Sequence, residues 1–214
     1  MTPGTLSAIN RLLTKYFRQT PSPVVRFMEA RSAAPFHVLV ATILSARTKD
    51  QTTTAAVERL FKEVHSLEEL DSIPPGKLET LIFPVGFYRT KARLLKKLPE
   101  AVTRLYGGII PSTVEELVKL PGVGRKTANL VVTEAFDKPG ICVDIHVHRI
   151  SNRLGLLKTR TPAETEKVLR EILPRKYWKT WNRNLVAFGQ TLCLPRHPRC
   201  PDCPIHDFCR RIGV

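Results

Sequence analysis

Four of the five cysteines in this 214-residue chain lie close together near its C-terminus, in the arrangement Cys193-x6-Cys200-x2-Cys203-x5-Cys209. Four thiolates within so short a segment could bind one metal centre. Zinc sites of this kind usually pair two Cys-x2-Cys elements, and this segment contains only one. Thiolate-only ligation also suits a cubane of iron and sulfur. The spacing therefore predicts a metal site without deciding between the metals, and Cys142, which stands apart, is assigned to the core.

The segment between the first two of these cysteines is basic, since it contains Arg196, His197 and Arg199. A bound metal would hold this segment in one conformation. We expect Arg196 and Arg199 to contact a phosphate backbone, because basic side chains bind phosphate oxygens without reading the base sequence.

A turn with two glycines lies in the middle of the chain, within Leu120-Pro121-Gly122-Val123-Gly124-Arg125-Lys126-Thr127-Ala128. The glycines allow positive φ and let bare backbone approach a ligand. Amides at the start of the helix that follows can bind a phosphate. This is the helix-hairpin-helix pattern of DNA-binding proteins, and it predicts DNA contacts at Gly122, Val123, Gly124 and Arg125. An ordinary turn between two helices is the alternative.

Lys126 lies in the first turn of that helix, beside Arg125. A neighbouring positive charge and the positive end of the helix dipole both disfavour an ammonium group there. A neutral amine is a nucleophile for a sugar carbon or an aldehyde, so Lys126 is a candidate catalytic residue. On the local sequence alone, a lysine that only contacts a phosphate is the better interpretation.

Asp144 follows a short apolar run and precedes a helical pattern that includes Val147. The simplest role for an aspartate at this position is a helix N-cap. If Lys126 lies nearby in space, the carboxylate could also take the lysine's proton and stabilise positive charge on a sugar ring. His146 and His148 are weak candidates for zinc ligands, because they are two residues apart and no cysteine is close in sequence.

These candidate residues lie in a chain whose pattern predicts helices throughout. Apolar residues recur at helical spacing from Ile9 to Phe17, from Phe36 to Leu44 and from Val57 to Val64. No alternating strand pattern occurs, so the predicted fold class is all-α. Three segments fit the capping box, in which a side chain satisfies a free backbone amide at a helix start. They are Ser66 with Glu69, Ser112 with Glu115, and Thr161 with Glu164.

Charge and hydropathy limit the partners of the chain. It carries 34 Lys and Arg against 19 Asp and Glu, a formal charge of +15, and such an excess attracts nucleic acid. A basic protein without a polyanionic partner is the alternative. The longest apolar stretch, Val38 to Leu44, is too short to span a bilayer. An anionic membrane surface is disfavoured, because no basic amphipathic anchor follows the first helix.

The N-terminal segment has no acidic residue before Glu29 and carries several basic ones, as a mitochondrial transit peptide does. Its apolar residues from Ile9 to Phe17 instead fit a helix that faces a core. We find no secretory signal. We therefore expect a reducing interior, where cysteines favour metal binding over disulfides.

Taken together, these motifs resemble those of the endonuclease III family of DNA-repair enzymes. The resemblance rests on the hairpin with Lys126, on Val-Asp-x-His-Val-x-Arg around Asp144, and on the cysteine spacing, in that order along the chain. It extends from Ile43-Leu44-Ser45-Ala46 to Cys209. It covers nearly the whole chain, and the joint pattern is very specific.

The resemblance implies an all-α fold in which two helical domains flank a DNA-binding cleft. A helical barrel of residues 28–138 would contain the helix-hairpin-helix motif. Residues 1–27 and 139–214 would form the second domain, which holds a [4Fe-4S] cluster in a C-terminal loop. The cluster ligands would be Cys193, Cys200, Cys203 and Cys209.

The resemblance also implies activity on double-stranded DNA that contains damaged bases or abasic sites. The damaged nucleotide is flipped out of the duplex, Lys126 attacks C1′ of its sugar and displaces the base, and Asp144 assists. The resulting Schiff base undergoes β-elimination and cuts the strand. The chain would thus be a bifunctional DNA N-glycosylase and abasic-site lyase for oxidised or ring-damaged pyrimidines. We expect a cytoplasmic, nucleoid-associated monomer, since no coiled-coil heptad is present.

Three positions depart from the family pattern. Arg47 stands where a glutamine commonly fills the gap left by the flipped base, and Phe87 stands where an aliphatic wedge is common. Both still suit insertion into DNA, by hydrogen bonding to the orphan base and by stacking between bases. Ile145 replaces a usual threonine. The substrate range therefore stays open, mismatched thymine or uracil included, and a non-catalytic binder of damaged DNA is an alternative that Lys126 and Asp144 together disfavour.

Overall fold

The computed structural model describes residues 2–19 and 34–214, and α-helices account for most of them. No strand occurs in these two ranges, which confirms the predicted all-α class. Two short 3-10 helices, Arg175–Tyr177 and His206–Phe208, complete the regular structure of the described residues. The α-helices are α1 (Pro3–Gln19), α2 (Pro35–Ser45), α3 (Asp50–Leu60), α4 (Leu67–Ser72), α5 (Pro75–Ile82), α6 (Tyr88–Lys96), α7 (Leu98–Tyr106), α8 (Val114–Leu117), α9 (Arg125–Ala135), α10 (Ile145–Arg153), α11 (Pro162–Ile172) and α12 (Trp178–Thr191).

The chain divides into two compact units, each with its own hydrophobic core. One unit is Phe27–Lys138, and the other combines Met1–Arg26 with Pro139–Val214. The predicted domain boundary between residues 27 and 28 lies outside the described residues. The second unit is therefore built from both ends of the chain, with the complete first unit inserted between them.

The core of the Phe27–Lys138 unit is organised around α2, which is apolar on every face. From Val38 to Leu44 no residue is more than 3% exposed. A helix that is hydrophobic all round has to be buried, and α2 packs against α3, α6 and α9. This confirms the helix predicted from Phe36 to Leu44. Within the two described ranges, no helix is long and apolar enough to cross a membrane.

The other core combines α1 with α10, α11 and α12. Ile9 and Leu13 of α1 are fully buried, and α1 packs against α12. The ring of Tyr16 meets that of Phe188 edge-on, with centroids 5.3 Å apart. These contacts confirm the core-facing helix predicted from Ile9 to Phe17. α12 also packs against α10, so both ends of the chain contribute to one folded body.

Two of the three predicted capping boxes occur in the structure. Ser66 and Thr161 each accept a hydrogen bond, at 3.2 Å, from the backbone amide three residues further on. The carboxylates of Glu69 and Glu164 reach back to the amides of the residues that precede the two caps. Two amides at each helix start are thereby satisfied, as the pattern predicts.

The predicted capping box of Ser112 with Glu115 is wrong by one residue. Thr113 is the N-cap of α8 and accepts a hydrogen bond from the amide of Glu116. Thr113 and Glu116 show the same spacing one position later, and the extended backbone at Thr113 (φ −118°, ψ 152°) is the conformation that a cap requires. The Ser112 hydroxyl instead accepts a hydrogen bond from the Lys138 ammonium.

The burial of α1 makes its apolar face a test of how the second unit is assembled. We expect Leu13→Ala to lower the free energy of unfolding by about 2–5 kcal/mol, because the lost transfer free energy and the cavity both destabilise the core. Arg11→Ala, at an exposed position on the same helix, should change it by less than about 0.5 kcal/mol. Urea unfolding of both variants measures the difference. Equal effects would contradict the packing of α1 in this core.

Candidate active site and nucleic-acid interface

The helix-hairpin-helix segment joins α8 to α9 in the Phe27–Lys138 unit. Gly122 has a φ of 76°, in the left-handed region that side chains rarely adopt. A Cβ atom there would lie 3.3 Å from Cδ1 of Leu94, so packing also favours glycine. Gly124 does not have the positive φ expected of the glycine pair. Its backbone is extended (φ −90°, ψ 173°), because it serves as the N-cap of α9.

The N-terminus of α9 combines the start of a helix with positive charge. Val123 is buried and anchors the turn between two exposed glycines. Arg125 and Lys126, the first two residues of α9, are both exposed. The first amides of a helix have no intrahelical partner, and Gly124 has no side chain to cap them. Such a helix end suits a phosphate group.

Asp144 is the N-cap of α10. Its Oδ1 accepts hydrogen bonds from the amides of His146 and Val147, both at 2.9 Å. The simplest interpretation of this aspartate from the sequence, an N-cap, is confirmed. The two bonds hold a half-buried carboxyl group in one orientation, next to Ile145, which is 67% exposed. Lys126 belongs to the other unit, so the nearness of the amine and the carboxylate stays a prediction.

Arg47 and Phe87 lie on two loops of the Phe27–Lys138 unit, one after α2 and one before α6. The backbone of both residues is in the left-handed region, with φ of 53° and 58°. For a residue with a side chain this conformation raises the free energy by about 1–2 kcal/mol. Phe87 is 64% exposed, and the guanidinium carbon of Arg47 lies 6.0 Å from its ring centroid. The structure therefore brings the two predicted wedge residues together as one exposed pair.

Gly86 allows the two loops to approach so closely. A Cβ atom at this position would lie 2.7 Å from the carbonyl oxygen of Arg47, closer than real Cβ atoms come to a backbone atom. The amide of Gly86 donates a hydrogen bond to Oγ1 of Thr48 at 3.1 Å. The loop before Phe87 is thus fastened to the loop that carries Arg47.

Lys91 is a residue to which the sequence analysis gave no role. It lies on α6, is 6% exposed, and donates through Nζ to the carbonyls of Leu44 (2.8 Å) and Ala46 (2.6 Å) and to Oγ1 of Thr48 (3.1 Å). Burial lowers the pKa of Lys91 to about 8. The sequence could have indicated the burial of Lys91, because it stands one helical turn before the fully buried Leu95 and so lies on the same face of α6.

The four clustered cysteines line one cavity in the second unit. All four are half-buried thiols, and the rest of the cavity wall is largely apolar. Burial raises the pKa of the Cys203 thiol to about 11, and the other three thiols add to that shift. Among the described residues, no three His, Cys, Asp or Glu side chains are grouped to bind a single metal ion. Four sulfur donors around one largely apolar cavity fit an iron–sulfur cluster.

Two of these sulfur atoms receive N–H groups from neighbouring residues. The amide of Arg211 donates to Sγ of Cys209 at 3.4 Å, and Nη1 of Arg153 lies 3.5 Å from Sγ of Cys193. Hydrogen bonds to sulfur are among the means by which proteins tune cluster ligands. These N–H groups are therefore placed as expected around sulfur atoms that bind an iron–sulfur cluster.

Arg149 and Arg153, one turn apart on α10, hold the backbone at the first of these cysteines. Arg149 donates to the carbonyl of Cys193 at 2.8 Å, and Arg153 donates to the carbonyls of residues 194–195 at 2.6 and 2.8 Å. The helix that Asp144 caps therefore also braces the cysteine loop. Arg149 is the last residue of the Val-Asp-x-His-Val-x-Arg motif, but the sequence indicated no contact of Arg149 or Arg153 with the cysteine loop.

The two arginines predicted to contact phosphate in the cysteine loop differ in their surroundings. Arg196 is exposed. Arg199 is exposed as well, but its Nη2 donates to the carbonyl of Thr191 at 2.8 Å, at the end of α12. Because the last carbonyls of a helix have no intrahelical partner, Arg199 stabilises that helix end in addition to any contact with DNA.

Residues 40–175 match the family model described as HhH-GPD superfamily base excision DNA repair protein. The chain is 46% identical over 175 residues to Endonuclease III of Thermotoga maritima, which covers 82% of each chain. The solved structure of a non-covalent Endonuclease III–DNA complex matches with a TM-score of 0.85 and 35% identity, over 99% of this chain and 96% of that chain. A trapped Endonuclease III–DNA covalent intermediate matches with a TM-score of 0.85 and 34% identity, over 99% and 97%. The chain belongs to the endonuclease III family.

Membership of this family makes the chain a base excision repair enzyme, both DNA glycosylase and abasic-site lyase. The segment matched by the family model contains Lys126 and Asp144, whereas the four clustered cysteines follow it. The structural match to endonuclease III covers almost the whole chain and so extends over the cysteine loop.

The buried ammonium of Lys91 gives the stability of this endonuclease III family member a defined pH dependence. Its pKa of about 8 lies below the ordinary value of 10.5, so between these values the unfolded chain binds more protons than the folded one. The free energy of unfolding of the wild type should therefore rise, relative to Lys91→Met, as pH increases from about 7.5 to about 9.5. Urea unfolding of both proteins at the two pH values measures this. A difference that does not change with pH would contradict the lowered pKa.

Proposed function

We propose that this endonuclease III family member removes oxidised or ring-damaged pyrimidines from double-stranded DNA and cuts the strand by β-elimination through a lysine Schiff base. The observation that carries the proposal is the place of Lys126, exposed in the first turn of α9 directly after the glycine turn. A nucleophile there lies beside the amides that would hold the DNA backbone. Damaged pyrimidines are the substrates that the resemblance to the family implies.

Lys126 acts on C1′ of the flipped nucleotide in this proposal. The neutral amine attacks C1′, a C–N bond to the lysine replaces the bond to the base, and the base leaves with the electron pair and takes up a proton. Opening of the sugar ring gives a Schiff base between the lysine and C1′. Loss of a proton from C2′ then expels the 3′ phosphate, and water releases the lysine.

Asp144 supplies the negative charge that these reaction steps require. Its carboxylate accepts a proton from the amine and stabilises positive charge that grows on the sugar. The two amide bonds at Oδ1 orient the group before the substrate arrives. A preoriented carboxylate loses less stabilisation to reorganisation than a mobile one, which supports a role at the reacting sugar in addition to capping α10.

The same proposal assigns the contacts with duplex DNA. Arg47 fills the space left by the flipped nucleotide, and Phe87 stacks between bases. The formal charge of +15 and the shared fold of the endonuclease III–DNA complexes support duplex binding. Phosphates are held at the hairpin and at the cysteine loop. The residues assigned to them are Gly122, Val123, Gly124, Arg125, Arg196 and Arg199.

We assign a [4Fe-4S] cluster to the four-cysteine cavity. Its ligands are Cys193, Cys200, Cys203 and Cys209, the thiols that line the cavity. When bound, the group supplies four iron–thiolate bonds that cross-link the loop over residues 193–209. The chain's own contribution is the hydrogen bonding by Arg153 and the amide of Arg211, which holds the sulfur atoms in place.

The proposal also covers the compartment and the oligomeric state of the enzyme. None of the five cysteines forms a disulfide bond, and cysteine ligands for a metal are typical of a reducing compartment. We propose that the enzyme acts as a monomer on the nucleoid DNA of the cytoplasm. Each unit buries its own hydrophobic core within one chain, which supports action without a second copy.

Borohydride trapping tests the Schiff base directly. On a duplex with one thymine glycol or abasic site, the wild type should form a covalent protein–DNA adduct, and Lys126→Gln should form at least about a hundredfold less, because no amine remains to attack C1′. Asp144→Asn should fold normally, since asparagine caps a helix as well as aspartate, yet form adduct more slowly.

The matched control is Arg125→Gln, which removes a positive charge from the neighbouring exposed position. It should weaken binding but reach the wild-type amount of adduct at saturating protein. No adduct from folded, cluster-loaded wild type would contradict the proposed Schiff-base mechanism. Faster adduct formation on mismatched thymine than on thymine glycol would instead reject damaged pyrimidines as the preferred substrate.

Metal content tests the ligand assignment. We expect purified wild type to contain iron and acid-labile sulfide, with visible absorbance from the cluster, and Cys203→Ser to lose most of both, because one thiolate ligand is removed. Cys142→Ala, at the buried cysteine outside the cavity, should keep its iron. Zinc without sulfide in the wild type would contradict the assignment.

A further inference from the structure

One ammonium group joins the two loops that carry Arg47 and Phe87. Nζ of Lys91 donates to the carbonyl of Ala46 and to the hydroxyl of Thr48. These two acceptors stand directly before and directly after Arg47 in the chain. The left-handed turn at Arg47 is therefore held from both sides by the same group, while its own side chain stays exposed.

The second loop enters the same network through Thr48. Its Oγ1 accepts hydrogen bonds from Nζ of Lys91 and from the amide of Gly86, each at 3.1 Å. Gly86 directly precedes Phe87, the other left-handed residue. Lys91 itself lies on α6, the helix of which Phe87 is the N-cap. Lys91 thus connects to the Phe87 loop through its own helix and through the shared hydroxyl.

This arrangement includes a buried charge that no acidic side chain balances. Among the described residues no carboxylate pairs with Lys91. The compensation comes from the carbonyls of Leu44 and Ala46 at the negative end of α2. Burying an ammonium in this way costs free energy, and the lowered pKa of Lys91 reflects that cost. At neutral pH the group is mainly protonated and has three N–H donors for its three acceptors.

We propose that Lys91 is a positioning residue for base displacement, which holds the Arg47 and Phe87 loops together so that both side chains enter the duplex as one wedge. The inference rests on the proposed insertion of Arg47 and Phe87 into DNA. Two independent loops would each lose conformational freedom on binding. A wedge that is already assembled loses less, and more of the binding energy is left to open the base stack.

A comparison of two DNA substrates distinguishes a positioning role of Lys91 from a general role in stability. A duplex with a central abasic site has an opposite base that the wedge must displace. A single-stranded oligonucleotide with the same abasic site has none. Borohydride trapping on the duplex should slow by about tenfold to a hundredfold in Lys91→Met, whereas trapping on the single strand should stay within about twofold of wild type. Methionine is also unbranched and only one heavy atom shorter, so it fills most of the same buried space while it removes the donors.

Lys96 offers a matched control on the same helix. Its ammonium also caps a helix end, with hydrogen bonds to the carbonyls of Leu70, Asp71 and Ile73 at the C-terminal end of α4, but it contacts neither wedge loop. Lys96→Met should leave the ratio of duplex to single-strand trapping unchanged. Thr48→Val gives a second route to the same network, because it removes the shared hydroxyl while Lys91 stays in place. It should lower the ratio as Lys91→Met does.

A double variant tests whether Lys91 acts through the wedge. Lys91→Met combined with Arg47→Ala should be no more than about twofold slower on the duplex than Arg47→Ala alone. Equal slowing of Lys91→Met on both substrates would overturn the proposal, as would a wild-type ratio in Lys91→Met while Arg47→Ala lowers it. If Arg47→Ala and Phe87→Ala both leave the ratio unchanged, wedge insertion fails and this inference fails with it. The Lys126-dependent adduct would still form in that case.

Discussion

Every α-helix leaves amides without partners at one end and carbonyls without partners at the other, and the twelve α-helices of the described residues give many such ends. Asp144 occupies the amide end of α10. Gly124 leaves the amide end of α9 without a side-chain cap, and Lys126 lies in that first turn. Lys91 occupies the carbonyl end of α2 and so reaches both neighbours of Arg47. The residues at the ends of α2 and α10 stabilise the fold, whereas the amide end of α9 is where the DNA backbone is proposed to bind.

The need to pair carbonyl groups of the backbone also explains part of the large excess of basic residues, which fall into two groups. Some point at carbonyls of the protein itself: Lys91 and Lys96 at the ends of α2 and α4, and Arg153 at the cysteine loop. Others, such as Arg125 and Arg196, are exposed where DNA backbone is proposed to bind. Some of the 34 Lys and Arg residues therefore serve the fold, and not all of them are available to nucleic acid. Arg59 and Arg149 belong with the first group, because each donates to a backbone carbonyl. Arg199 belongs to both groups, because it donates to the carbonyl of Thr191 and is also proposed to bind phosphate.

The sequence predicts a feature of this structure well when the residues that determine it lie close together in the chain. The buried faces of α1 and α2 follow from apolar spacing within one helix, and the cap at Thr161 from a pattern of four residues. The cap predicted at Ser112 failed because Thr113 offers the same chemistry one position later, and a local pattern does not rank two overlapping caps.

The candidate site shows the same limit at longer range. The hairpin and the cysteine spacing are visible in the sequence, because each is contained in a short segment. The role of Lys91 is not, since its acceptors lie 43 to 47 residues earlier in the chain. The braces from Arg153 to the cysteine loop span 41 and 42 residues. Contacts of this kind depend on tertiary packing, and no periodicity within a single helix encodes them.

The Arg47 and Phe87 loops concentrate three unfavourable features in one small region. Each of the two residues adopts a left-handed backbone, at about 1–2 kcal/mol apiece, and Lys91 buries a charge between the loops. Gly86 adds a contact so close that no side chain would fit. A region designed only for stability would avoid all of these. Their combination is reasonable where two side chains must be exposed, rigid and adjacent before they meet a ligand, because strain retained in the free protein is then not added during binding.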